Sequence, residues 1–220
     1  VKDLGRFLGV LFARGKGPHG VVLKPETLEQ MWKPQFAKPG AREGFGLGFM
    51  VGELEGRRRI GHGGAIYGFA TELAALPGDK LGVVVIASRD CANAVTTHVA
   101  NVALRHMLAV RQKKPLPAIE RTMPLEPGEA RKLAGRYKAG ARTMELTESA
   151  GRLYATPGKG GFRVELRAQG DDLVVDDRLA HGERFKRDGD KLRVGKDVFE
   201  RLPDVKPQPL PAKWAGLIGE

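Results

Sequence analysis

The chain reads as α+β: an antiparallel sheet with flanking helices, followed by a small all-β, barrel-like domain. Three observations predict this. Residues 44 to 88 alternate apolar with small or polar residues across repeated turn signals, as in four consecutive antiparallel strands. Helical patterns lie on both sides of that run in the chain. Beyond a proline-rich segment, short strand patterns recur at regular spacing to about residue 202. The predicted organisation is a first domain over 1–111, a linker over 112–129, a barrel-like domain over 130–204, and a second linker at 205–220.

In chain order, Asp3 is placed to cap a helix whose residues Leu4, Phe7, Leu8, Leu11 and Phe12 share one face, with Gly15 and Gly17 stopping it. Pro25 suits the first turn of a second helix carrying Leu28, Met31 and Trp32. The loop 33–43 leads to Gly44-Phe45-Gly46-Leu47-Gly48-Phe49-Met50-Val51-Gly52, read as one strand pressed closely on one face. A phosphate-binding loop would need a helix next, and Glu53-Leu54-Glu55-Gly56 instead turns into another strand. That strand, starting at Arg57-Arg58-Arg59, is expected to end at His62 between glycines. Two apolar runs, Ile66 to Leu76 and Leu81 to Ser88, then flank a Pro77-Gly78-Asp79 hairpin turn.

Ala92 to Arg111 predicts a long helix with Val95, Val99, Val102, Ala103 and His106 on one face. His106 reads as a core or boundary histidine with one hydrogen bond. His98 is eight positions away from it, and Cys91 precedes the helix, so no metal spacing is present. Pro115, Pro117, Pro124 and Pro127 mark the linker. Strands are predicted at 135–138, 143–148, 152–156, 162–168, 173–176, 183–187, 191–194 and 198–202, with His181 in a surface loop. Leu133-Ala134-Gly135 opens this set, and Trp214-Ala215-Gly216 echoes it as the start of a second module. The chain is therefore expected to be cut at both ends.

Composition narrows the function classes. With 41% apolar and 29% charged residues the chain can bury a core. One cysteine excludes an internal disulfide framework, and no apolar run reaches membrane-spanning length. The net charge of +11 is shared almost equally by the two halves, with bases interleaved among acids and few aromatics. That pattern describes a solvated basic surface, and no nucleic-acid partner is expected. If Arg57, Arg58 and Arg59 did bind nucleic acid, binding would fall steeply with salt; the run reads more simply as an exposed strand face or an anchor for an acidic neighbour. No cofactor or metal is expected, and nothing predicts the oligomeric state.

His62-Gly63-Gly64, with Gly68-Phe69, is the motif that carries chemistry. Together with Lys24-Pro25-Glu26-Thr27-Leu28, Gly44-Phe45-Gly46-Leu47-Gly48-Phe49 and Leu76-Pro77-Gly78-Asp79-Lys80-Leu81-Gly82, it resembles the C-terminal part of the serine β-lactamase-like superfamily. That superfamily includes class C β-lactamases, DD-peptidases, esterases and D-amino-acid amidases. The resemblance covers about Val1 to Arg111, and residues 133 to 204 are similar to a β-barrel appendage of such hydrolases. It implies the C-terminal part of a β-lactamase/transpeptidase-like fold.

In that family the Lys-Thr-Gly strand is often His-x-Gly, and His62-Gly63-Gly64 matches the variant. The resemblance implies that the Ala65 N–H is one of two oxyanion donors, with His62 a polar pocket residue. Gly63, Gly64, Ile66 and Tyr67 would line the substrate strand. An acyl-transfer site needs a backbone N–H at the developing oxyanion and a bare strand edge for the substrate. Imidazole, mostly neutral near pH 7, shifts the expected substrate from carboxylate-bearing β-lactams toward esters, amides or small peptides.

The departure is that Ser-x-x-Lys is absent: Ser88 and Ser149 are followed three residues later by Cys91 and Arg152. Tyr67, Tyr137 and Tyr154 likewise lack Asn or Ser two residues on. Both elements precede His-x-Gly in the family and would lie before Val1. The expectation is a fragment of a serine hydrolase, inactive alone, with no nucleophile in this chain. The alternative is a penicillin-binding-protein-like binder of peptide or glycan without catalysis. By resemblance the setting is periplasmic or secreted, with any signal upstream of Val1.

Overall fold

The computed structural model describes residues 1–204; the echo at Trp214 lies outside the described residues. The chain forms two compact units, one of Val1–Met123 with Val174–Glu183, the other of Pro124–Leu173 with Arg184 onward. The first unit opens with α1 (Lys2–Phe12), capped at Val1, so Asp3 is a first-turn acid paired with Arg6 and not the predicted cap. A two-residue hairpin, β1 (Lys16–Gly17) and β2 (Gly20–Val21), follows, then α2 (Pro25–Met31) with proline in its first turn.

The sheet has five strands in meander order: β3 (Gly44–Phe45), β4 (Met50–Leu54), β5 (Arg57–Ile66), β6 (Phe69–Leu76) and β7 (Leu81–Ala87). This corrects the expectation of four strands. The glycine-rich stretch bends at residues 46–49 and pairs back on itself, Gly44 opposite Val51 and Phe45 opposite Met50. A second correction concerns β5, which continues through His62 and both following glycines to Ile66. The apolar run beginning at Ile66 therefore contains a turn at Tyr67-Gly68 before β6 starts. Pro77–Asp79 forms a 3-10 turn between β6 and β7.

Helix α3 (Asn93–Arg111) covers one face of the sheet, and α1 and α2 cover the other. On the α3 side Ala100, Leu104 and Leu108 pack with Leu54, Ala74 and Leu76. On the other, Leu8, Leu11, Leu28 and Trp32 pack with Phe49, Ile60, Leu73 and Ala75. The buried stripe of α3 is thus Thr96, Ala100, Leu104 and Leu108, while Val95 and Val99 are exposed, contrary to the predicted face. Small residues let the helix axis approach the sheet, and closeness outweighs the larger apolar surface of valine. His106 makes a hydrogen bond as predicted, its Nε2–H donating to the Pro117 carbonyl at 3.0 Å.

The second unit carries α4 (Pro127–Leu133), a short helix that the sequence reading missed although Pro127 and Glu129 suit a first turn. After it come β8 (Gly135–Ala139), β9 (Arg142–Ser149), β10 (Arg152–Pro157), β11 (Val164–Gln169), β12 (Asp172–Asp176), β13 (His181–Asp188), β14 (Lys191–Val194) and β15 (Asp197–Arg201). They close into an eight-stranded barrel, with β15 pairing β8 through Glu200–Lys138 and Arg201–Tyr137. Alternate residues such as Met144 and Leu146, or Leu153 and Ala155, are buried, as a closed sheet requires.

Candidate active site

The ladder register of β5 sets the geometry at His62-Gly63-Gly64. Two-residue turns close both of its hairpins, with Leu54 opposite Arg57 and Ile66 opposite Phe69. Residues flanking such a turn exchange both backbone bonds, and the pattern then alternates. Counting from either turn gives one answer: odd-numbered residues of β5 turn their N–H and C=O toward β4, even-numbered ones toward β6. The β4 ladder begins at Met50, opposite Gly61. Among the described residues, no strand pairs with β5 beyond Gly61 on that side, whereas pairing with β6 continues to Ile66. Gly63 and Ala65 therefore present N–H groups to an open strand edge.

His62 is exposed, and its Nδ1 lies 2.6 Å from the Gly63 carbonyl oxygen. A carbonyl only accepts, so Nδ1 donates in this contact. The same contact engages the Gly63 carbonyl, so the open edge offers the N–H groups of Gly63 and Ala65 beside the Ala65 carbonyl. Such an edge suits an oxygen that gains negative charge.

His62, Gly63 and Gly64 border a cavity of about 230 Å³ with the apolar Leu4, Phe7, Phe49, Leu73 and Val84 and the polar Thr71 and Glu72. Ala65, Ile66 and Tyr67, the other site residues predicted from sequence, do not border it. Ile66 is 71% exposed and Tyr67, in the turn, 96%. The turn is held from outside by the Asp90 carboxylate, which accepts from the Gly68 N–H.

Behind the glycines lies a polar cluster that sequence reasoning missed. The Arg59 guanidinium donates to Glu72 at 2.6 Å and to Asn101 Oδ1 at 3.0 Å. Glu72 also accepts from the Thr97 hydroxyl at 3.2 Å, and Asn93 Nδ2 donates to the Gly64 carbonyl at 3.0 Å. Asn93, Thr97 and Asn101 are spaced four apart and form one stripe of α3. The available signal was Glu72, a carboxylate inside an otherwise apolar strand. Arg57 and Arg58 are also paired, with Asp79 at 2.9 Å and Glu29 at 3.0 Å, and Arg58 lies over Trp32.

Another histidine was misplaced by the sequence reading. His181 begins β13 and is not in a loop. Within the first unit its ring lies 3.9 Å from that of His98, and its Nδ1 is 3.3 Å from Asp176 Oδ1. Burial, then the neighbouring His181, holds the His98 imidazole below its ordinary value, against an upward pull from Asp176. Among the described residues no group of three or more His, Cys, Asp or Glu is arranged to hold a metal ion. No helix there is long and apolar enough to cross a membrane.

The Beta-lactamase family model matches residues 1–106. Among solved structures, the octameric penicillin-binding protein homologue from Pyrococcus abyssi is similar at 19% identity and a TM-score of 0.46, over 90% of this chain and 46% of that one. SurE, solved with D-Leu and also under the name SurE alone, is similar at 21% identity and a TM-score of 0.31 in each case. The match covers 82% of this chain and 44% and 43% of theirs. The chain thus spans less than half the length of these structures. Comparison with curated proteins gives no match.

Proposed function

We propose, from the match of residues 1–106 to the Beta-lactamase family model, that this chain supplies one wall of an acyl-transfer site in a serine hydrolase. The substrate would be an ester, amide, peptide or β-lactam, docked along the open edge of β5. The Ala65 N–H would be one oxyanion donor, and His62 a polar group beside the reacting carbonyl. Gly63, Gly64, Ile66 and Tyr67 would flank the bound chain. A serine in a Ser-x-x-Lys motif, outside residues 1–220, would supply the nucleophile and the second donor.

The observation that carries this reading is the loss of β4 pairing beyond Gly61, which leaves two amide donors unpaired beside the His-Gly-Gly motif. A strand edge kept bare by a bend in its neighbour, and floored by glycine, lets a substrate backbone approach closely. The barrel and the linker would be an appendage to this hydrolase domain, in the organisation predicted for 112–204.

The test is covalent labelling of the full-length protein with a fluorophosphonate or a labelled penicillin. Stoichiometric acylation is the expected result. Absence of acylation by both reagents, and of turnover of simple esters, would sink the proposal and leave a non-catalytic binder of peptide or glycan.

A further inference from the structure

We infer that Asn93 is a positioning residue for the Ala65 amide, acting through the peptide group that joins Gly64 to Ala65. This rests on the acyl-transfer reading above. Asn93 Nδ2 donates to the Gly64 carbonyl at 3.0 Å. That carbonyl and the Ala65 N–H belong to one planar unit, and no cis peptide occurs among the described residues. In a trans peptide the two groups point in opposite directions. A bond that fixes the carbonyl on the β6 side therefore fixes the direction of the N–H on the open edge.

Two features make the pin consequential. The Gly64 carbonyl faces β6 in the strand ladder, where Gly64 lies opposite Thr71, so the Asn93 donor adds a second partner to the same oxygen. A carbonyl that accepts a hydrogen bond also polarises its peptide and strengthens the N–H as a donor. An amide aimed and polarised before substrate arrives needs no reorganisation when charge develops.

The Asn93 side chain is not used for another purpose. It opens α3, yet the N-cap is Ala92 and no side chain makes a capping bond there. It opens the α3 stripe on which Thr97 and Asn101 engage Glu72 and Arg59. The stripe also abuts the neighbouring strand residue. A Cβ on Gly63 would lie 3.2 Å from Glu72 Oε2 and 3.6 Å from Asn93 Nδ2. Helix α3 thereby braces Gly63 and Gly64 from its side of the sheet.

The experiment compares full-length wild type with Asn93→Ala and Asn93→Asp, the second isosteric but without a donor, and with the exposed Val99→Gln as control. Acylation by an activated ester is expected to slow by roughly tenfold or more in both Asn93 variants, with KM within about twofold. Val99→Gln should match wild type. In the ¹⁵N-labelled 220-residue chain, the Ala65 amide nitrogen resonance should move in both Asn93 variants while that of Ile60 stays.

Unchanged acylation rates in both variants of an acylated wild type would overturn the positioning role and leave the acyl-transfer reading standing. An Ala65 resonance that does not move would overturn it too. A wild type that is never acylated overturns the acyl-transfer reading, and with it the catalytic use of the pin. The Ala65 resonance would still report whether Asn93 holds the peptide.

Discussion

Gly61, Gly63 and Gly64 are equivalent as letters and unlike in their surroundings. A Cβ on Gly61 would run into the Leu73 carbonyl oxygen, which is backbone and cannot swing away. A Cβ on Gly64 would meet only the Thr71 hydroxyl, which a side-chain rotation removes. Gly61→Ala should therefore destabilise the chain by about 1–3 kcal/mol, whereas Gly64→Ala should cost well under that, as read by urea unfolding. The sequence placed Gly63 and Gly64 along the substrate strand and gave Gly61 no role, because the Leu73 carbonyl arrives only through β5–β6 pairing. Arg59 and Glu72 carry a related lesson. With side chains 14% and 7% exposed, they form a pair shielded from water. Arg59→Met strands a buried carboxylate and should cost about 3–5 kcal/mol, and Arg59→Met with Glu72→Met should recover much of it. A double variant as unstable as the single one would contradict that account. The run of arginines was legible as an anchor for acids, but which acid each one takes was not. The three partners lie on α2, β6 and the 3-10 turn.

Helix α3 shows why an element can be found and its facing still missed. Its apolar residues are spread around much of the circumference, so periodicity alone gives no unique face. Valines at 95, 99 and 102 suggested one stripe, and the buried one is rotated by about a single residue, through Thr96, Ala100 and Leu104. What selects it is the fit of small side chains against Ala74 and Leu76. Ala100, fully buried, should tolerate enlargement poorly, and Ala100→Leu is expected to lose about 1–3 kcal/mol. Val99→Gln should stay within about 0.5 kcal/mol by the same unfolding measurement. The barrel strands lie at the other extreme. Their turns, Ala150-Gly151, Gly170-Asp171 and Asp188-Gly189-Asp190, punctuate period-two patterns, so all eight strands were legible to within a few residues. Closure, expected from the barrel-like reading, is made by β15 pairing with β8, which joins residues far apart in sequence.

At the scale of the whole molecule, the first compact unit draws in residues 174–183 from much later in the chain. Within that unit His98 meets His181, and His181 meets Asp176, whose carboxylate also accepts from the Thr122 hydroxyl. Nothing in the spacing of His98 and His181 joins them, which is why each was read alone. Their contact makes the fold acid-sensitive in a definite direction. Burial, His181 and Arg105 all disfavour a proton on His98, and only Asp176 favours one. The folded-state value is therefore below the ordinary 6.5, while the unfolded chain titrates near it. Above that pH neither state carries the proton and His98 contributes nothing to the slope. Below it the unfolded chain takes the proton first, so unfolding binds protons and stability falls as pH falls. The midpoint of urea unfolding, followed by Trp32 fluorescence in a Trp214→Phe background, should drop between about pH 7 and pH 5. His98→Phe keeps a ring against His181 without a titrating nitrogen, and the drop should be shallower in that variant. An equal slope in the two proteins would show that the acid sensitivity arises elsewhere.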